Sequence, residues 1–156
     1  RWPTTGSGDA GVSGTAGSAT VGVDAVDTIN IVSNAVTDIT SAFTEATVGL
    51  GAGTWQDVQT IVVTTDGNPL VISGVAHIHV GGGGPRSCGI RLRRDSTTVA
   101  GDSAGSISGP NDVDGYGVIS VIDQPAAGTY TYKLQCIPSG GAGVDMRFLS
   151  ALETKR

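Results

Sequence analysis

Aromatic residues are scarce: two Trp, three Tyr and two Phe make up 4 % of 156 residues, so the chain has little of the bulk that fills an isolated core. Charge is also thin, at 15 %. A hydrophobic content of 38 % is nevertheless too high for a disordered chain. Such a sequence is expected to borrow buried area from neighbouring chains. Only two cysteines are present, Cys88 and Cys136, and they fit no CxxC or metal spacing. Each is in phase with apolar neighbours, as in Cys88-Ile90-Leu92 and Tyr130-Tyr132-Leu134-Cys136, so two buried free thiols are expected. A bridge between adjacent strands is the alternative, disfavoured because small secreted domains that rely on disulfides usually carry more of them.

Long apolar runs are missing as well. None approaches the ~20 residues needed to cross a bilayer, and Arg1–Gly22 lacks the apolar centre of a signal peptide, so no membrane insertion is expected. Arg1 is not a translation start, and a longer chain is expected upstream; Glu153-Thr154-Lys155-Arg156 reads as a true C-terminus. The net charge of −5 is uneven, with one base against five acids in residues 1–53 and eight bases against nine acids thereafter. No concentration of Lys and Arg matches a phosphate backbone, which argues against nucleic acid as a partner.

What the chain does have is glycine, 25 residues of it, and two contrasting regions. Residues 1–22 are Gly, Ser, Thr and Ala with almost nothing to bury, a linker unless ordered by neighbours. Between Asp24 and Leu50 apolar residues return. Ile29, Val32, Val36, Ile39 and Phe43 follow the 3-4-3-4 spacing of a coiled-coil seam, yet they sit among Thr, Ser and Asn, each costing ~0.5 kcal/mol in a helix relative to Ala. Two readings stay open, a short three-helix seam and an interwoven β-rich shaft, and both need other chains to cover the apolar side. From Trp55 onward the period becomes 2 and turn residues recur, which predicts an antiparallel β-sandwich. Expected strands are Gln56–Thr65, Leu70–Val80, Cys88–Arg94, Thr97–Ala100, Gly117–Asp123, Thr129–Ile137 and Val144–Leu152. Residues 1–53 are thus assigned to linker and shaft and residues 54–156 to a jelly-roll-like head in an all-β protein. Recognition is expected in the loops Gly81–Ser87, Gly101–Gly115 and Ser139–Gly143, since loops on a rigid scaffold carry function.

The order of features, a Gly/Ser/Thr-rich lead, Asn34-Ala35-Val36-Thr37, Thr54-Trp55-Gln56-Asp57-Val58-Gln59 and a closing strand Arg147–Glu153, resembles the C-terminal regions of siphophage central tail-fibre or tip-attachment proteins over roughly residues 25–156. In that group "NAVT"-like segments thread along a fibre axis and "TWxxV" opens a small terminal domain. The resemblance implies a homotrimer at the tail tip of a virion. Its partners would be other tail proteins and a bacterial surface receptor, whether polysaccharide, lipopolysaccharide or surface protein, and it would perform no chemistry of its own.

Several local features bear on chemistry. His77-Ile78-His79 presents two imidazoles on one face of a strand. Three chains around an axis would supply six nitrogens, an arrangement that some phage fibre tips resemble in holding a transition metal; otherwise no cofactor is expected. Asp112-Val113-Asp114-Gly115 resembles the start of a Ca²⁺ loop but lacks the later bidentate Glu. Gly81-Gly82-Gly83-Gly84-Pro85-Arg86 lacks the Lys and the following helix of a phosphate loop. No nucleophile–base pair or flanking carboxylate pair is legible, so no enzyme is expected. Arg91, Arg93, Lys133 and Gln135 alternate with apolar residues and would form a basic stripe if their strands pair, a second candidate for the receptor contact. In the last strand Asp145, Arg147 and Glu153 alternate with Val144, Met146, Phe148 and Leu152, which suggests an apolar inner and a charged outer face. The competing functions are a secreted Ca²⁺-dependent lectin or carbohydrate-processing domain using Asp112 and Asp114, and a purely structural virion component.

Overall fold

The computed structural model describes residues 38–81, 86–101, 107–110 and 113–154. They form ten strands: β1 (Asp38–Thr44), β2 (Val48–Leu50), β3 (Gln56–Thr65), β4 (Leu70–Val80), β5 (Arg86–Arg94), β6 (Thr97–Ala100), β7 (Ile107–Gly109), β8 (Val113–Asp123), β9 (Gly128–Pro138) and β10 (Ala142–Glu153). No helix occurs among the described residues. One sheet has the order β1-β10-β4-β8 with β2 also on β10; the other has the order β3-β9-β5-β6 with β7 also on β5. Every pairing is antiparallel.

Alternation dictates the layers. In β4 the pattern places Leu70, Ile72, Ala76, Ile78 and Val80 inward, fully buried, against Ile90 and Leu92 of β5 and Leu134 of β9. Gly74 interrupts this inward row, and a Cβ there would lie 2.7 Å from Leu134 Cδ1, so glycine leaves the space that Leu134 fills. The turn between β3 and β4, at Asp66-Gly67-Asn68-Pro69, needs the positive φ of 93° that Gly67 supplies. Cys88 and Cys136 are free thiols in the core. The Cys88 partner and burial push the Cys136 thiol well above its ordinary range.

Several placements differ from the sequence reading, among them β7 and the start of β8, which lie within the expected loop Gly101–Gly115. Asp38–Leu50, expected in the shaft, supplies β1 and β2 of the first sheet. Ile39 and Phe43 therefore lie on a strand, not on a helical seam. Their spacing of four is even, so it puts both on one face of a strand just as it would on a helix. Ile29, Val32 and Val36 lie outside the described residues. In β10 the register shifts between Val144 and Arg147, and this bulge inverts the faces of the strand beyond it. Arg147 and Glu153 turn inward and are buried, while Phe148 and Leu152 turn outward.

Both buried charges are held by backbone or turn groups, although Arg147 Nε has no hydrogen-bond partner. Arg147 Nη1 donates to Val144 O at 3.0 Å and to Ala46 O. Glu153 Oε1 accepts from Thr65 Oγ1 at 2.7 Å, Asp66 N at 3.0 Å and Asn68 Nδ2 at 3.3 Å, fastening the β3–β4 turn. At the same end Asp123 of β8 accepts from Tyr132 of β9 at 2.7 Å and from Arg94 of β5 at 2.6 and 2.7 Å, a polar tie between the sheets.

Candidate functional site

Three surfaces stand out. The first is the outer face of the sheet β1-β10-β4-β8. Register aligns Ile39, Leu152, Val71 and Ile122 in one row across four strands, Ser41, Ser150, Ser73 and Ser120 in the next, and Phe43, Phe148, Val75 and Val118 in a third. Two apolar rows thus flank a serine row, in which Ser73 and Ser120 hydrogen-bond at 3.0 Å, and none of the twelve side chains is charged. Ile39, Phe43, Val118 and Ile122 are each more than half exposed, at 65 %, 56 %, 59 % and 71 %.

The second surface continues that face towards the end where β4 runs into the Gly81 loop. His77 and His79 both point outward from β4, as the alternation requires. The β10 bulge turns Asp145 towards them, and Asp114 of β8 stands directly across the pair from His79. Asp145 Oδ1 lies 2.8 Å from His77 Nδ1 and its Oδ2 lies 2.9 Å from His79 Nε2. On the far side of the rings Asp114 Oδ1 lies 2.9 Å from His77 Nε2 and 3.1 Å from His79 Nδ1. The rings meet edge to face at 4.5 Å, and Tyr116 packs on His77 at 4.4 Å. The hydrogen bond to Asp145, reinforced by Asp114, raises the His79 pKa against the opposing effect of desolvation. Contacts with His79 and His77 hold the Asp145 carboxyl far below the usual carboxylate range. A shallow cleft of about 280 Å³ adjoins the cluster, lined by Glu45, His77, Tyr116, Asp145 and Met146. Such a set can hold a proton pair or a cation, and it gives the imidazoles carboxylate partners instead of a serine or cysteine to activate.

The third surface is the stripe on the opposite sheet. β5 and β9 do pair, with Arg91 across from Gln135 and Arg93 across from Lys133. The stripe is not simply basic. Asp57 of β3 reaches Lys133 Nζ at 2.6 Å and also accepts from Gln135 Nε2, Arg91 Nε donates to Gln135 Oε1 at 2.7 Å, and the Arg91 guanidinium lies 4.1 Å above the Trp55 ring. Arg93 Nη2 donates to Ser96 O. Burial alone would raise the Asp57 carboxyl, but hydrogen bonds from Lys133 and Gln135 outweigh it and hold the group below its ordinary value.

Of the expected recognition loops, the described parts converge at one end of the sandwich. Arg86 and Ser87, Ser108 to Pro110, and Ser139 surround a cleft of about 500 Å³, and Ser139 Oγ accepts from Ser87 N at 2.9 Å. Asp112 lies outside the described residues. Asp114 is on a strand, engaged with the two histidines. The sequence reading paired His77 with His79 but missed Asp145 as their partner and Asp57 as the counter-charge in the stripe. The bulge that aims Asp145 leaves no clear pattern in the sequence, and a register shift between Asp57 and Gln59 takes Asp57 out of the alternation that Thr60, Val62 and Thr64 follow in β3. Comparison with known protein families finds no match, and none is found among curated proteins.

Proposed function

We propose that the chain is the terminal module of a homotrimeric phage tail fibre, which attaches to a bacterial surface receptor and catalyses no reaction. The observation that carries this reading is the uncharged apolar face of Ile39, Phe43, Val118, Ile122 and their row neighbours. Four strands across and five residues along, it spans about 14 Å by about 13 Å between residue centres, hence on the order of 400 Å² with side chains included. An uncharged face of that size, two apolar rows with serines between, is in the range of the largest apolar patch on a typical monomer, which is often functional. Copies of the chain are the occupants that fit best. The face is free of charge, so molecules that each carry a net −5 do not repel one another there. β1, the first of the described strands, is the edge strand of this sheet.

Burying each large apolar side chain returns ~1.5–3 kcal/mol, which offsets the ordering cost of a lead as poor in core residues as this one. The strand order, with β3, β5 and β9 in one sheet and β4, β8 and β10 in the other, supports a jelly-roll reading of the sandwich. Receptor contact falls to the clustered loops around Arg86, Ser108 and Ser139, whose hydroxyls and guanidinium suit a polysaccharide or the phosphates of lipopolysaccharide. Three weak sites held together gain effective concentration without new contacts at any one of them. In the virion the module stands at the tail tip, joined to other tail proteins upstream.

Light scattering on the purified chain tests the proposal. A trimer at micromolar concentration is expected, with Val118→Asp and Ile122→Asp giving folded monomers of unchanged circular dichroism. A monomeric wild type, whether its face is bare or covered by its own residues 1–37, would overturn it.

A further inference from the structure

We propose that His77, His79 and Asp145 of a single chain bind one divalent transition-metal ion, with Asp114 holding the two rings from behind. The proposal stands on geometry within one chain and is independent of how many chains assemble. The nearest nitrogen and oxygen atoms of the three groups lie within 4.8 Å of one another, converging on one point of the sheet surface. The Asp145 oxygens are 2.8 and 2.9 Å from the two nitrogens that face them. Ligand atoms around a tetrahedral ion with bonds of ~2.0–2.1 Å stand ~3.3 Å apart, so small side-chain rotations open the site to accept one.

Proton counting points the same way. Four imidazole–carboxylate contacts need four protons, and two neutral imidazoles carry two. If those two sit on His77 Nε2 and His79 Nδ1, both are donated to Asp114 Oδ1, and the lone pairs of His77 Nδ1 and His79 Nε2 then face Asp145 with no proton between. In that tautomer two lone pairs and a carboxylate converge, a donor set that a divalent cation can take. Asp114 then has the position of the outer carboxylate that fixes tautomer and ring orientation behind a metal-binding histidine. Two imidazoles with one carboxylate favour Zn²⁺, Ni²⁺, Co²⁺ or Fe²⁺ over Ca²⁺ and Mg²⁺, which prefer all-oxygen sites. The remaining coordination positions look onto the cleft lined by Glu45, Tyr116 and Met146, with room for water or a ligand oxygen.

The experiment uses the full chain, stripped with chelator, gel-filtered after incubation with Zn²⁺ or Ni²⁺, and assayed for retained metal by mass spectrometry, with calorimetry for affinity. One ion per chain is expected. His79→Ala and Asp145→Asn should each weaken binding at least a hundredfold, and Asp114→Asn by about 10–100-fold. Asp145→Asn is nearly isosteric, and circular dichroism identifies any variant that has lost its fold. Cobalt loading should give the intense visible bands of a low-symmetry site, lost in His79→Ala. Retention of one ion per three chains, of none, or of equal amounts in wild type and Asp145→Asn would overturn the proposal.

Discussion

The Glu153 carboxylate accepts the Thr65 hydroxyl at 2.7 Å across 88 positions of sequence, joining the last strand to the end of β3. Glu153 is 2 % exposed, and the same oxygen serves the Asp66 amide and the Asn68 side chain. Glu153→Ala should cost about 2–3 kcal/mol, because buried donors lose their acceptor, whereas Glu153→Gln keeps an oxygen in place and should cost less. Urea unfolding of the two variants measures the difference. Equal stability of wild type and alanine variant would show that the turn does not depend on this carboxylate.

Asp57 gives a pH dependence of definite sign. Its folded-state value lies below the unfolded one of about 3.9, because Lys133 and Gln135 favour the ionised form over the opposing effect of burial. The stability it contributes is therefore complete above about pH 5 and is lost as pH falls through the folded-state value. Both partners are partly solvated, so the pair contributes under about 1 kcal/mol. The stability gap between wild type and Asp57→Asn should be constant from pH 5 to 7 and should shrink below about pH 4. A gap that widens on acidification would reverse the assignment.

Gly74 is packed closely in the core. A Cβ at this position meets Leu134 Cδ1 at 2.7 Å and Leu92 Cδ2 at 3.3 Å. Gly74→Ala should cost about 1–3 kcal/mol through displacement of Leu134, and Gly74→Val more. Combining Gly74→Ala with Leu134→Val should recover part of the loss, a non-additivity that a double-mutant cycle reads directly. Additive effects would mean that the two side chains do not compete for the same space.

Pattern alone located much of the head. Gln56–Thr65, Leu70–Val80 and Thr97–Ala100 are strands with the bounds that the pattern and turn residues predict, and in Leu70–Val80 one face is buried throughout, so that a shift by one residue would exchange the faces. Both cysteines are buried, as their apolar phase predicts, and free. The last strand escaped this logic. Its bulge between Val144 and Arg147 changes the phase, so the residues that read as a charged outer face, Arg147 and Glu153, turn into the core while Phe148 and Leu152 turn out.

Local sequence, then, determined the all-β class, seven of the strands from Gln56 onward and the side-by-side histidines, since these follow from a two-residue period and from turn chemistry that neighbouring residues supply by themselves. Only the tertiary structure decided what those elements meet. The adoption of Asp38–Leu50 into the first sheet, the serine row between two apolar rows, the closure of Asp145 and Asp114 around the imidazoles and the neutralising of the basic stripe by Asp57 all depend on register between strands far apart in the chain. Register is set by which faces bury together and by where a bulge breaks the count. Those are properties of paired strands, which no single strand's sequence contains.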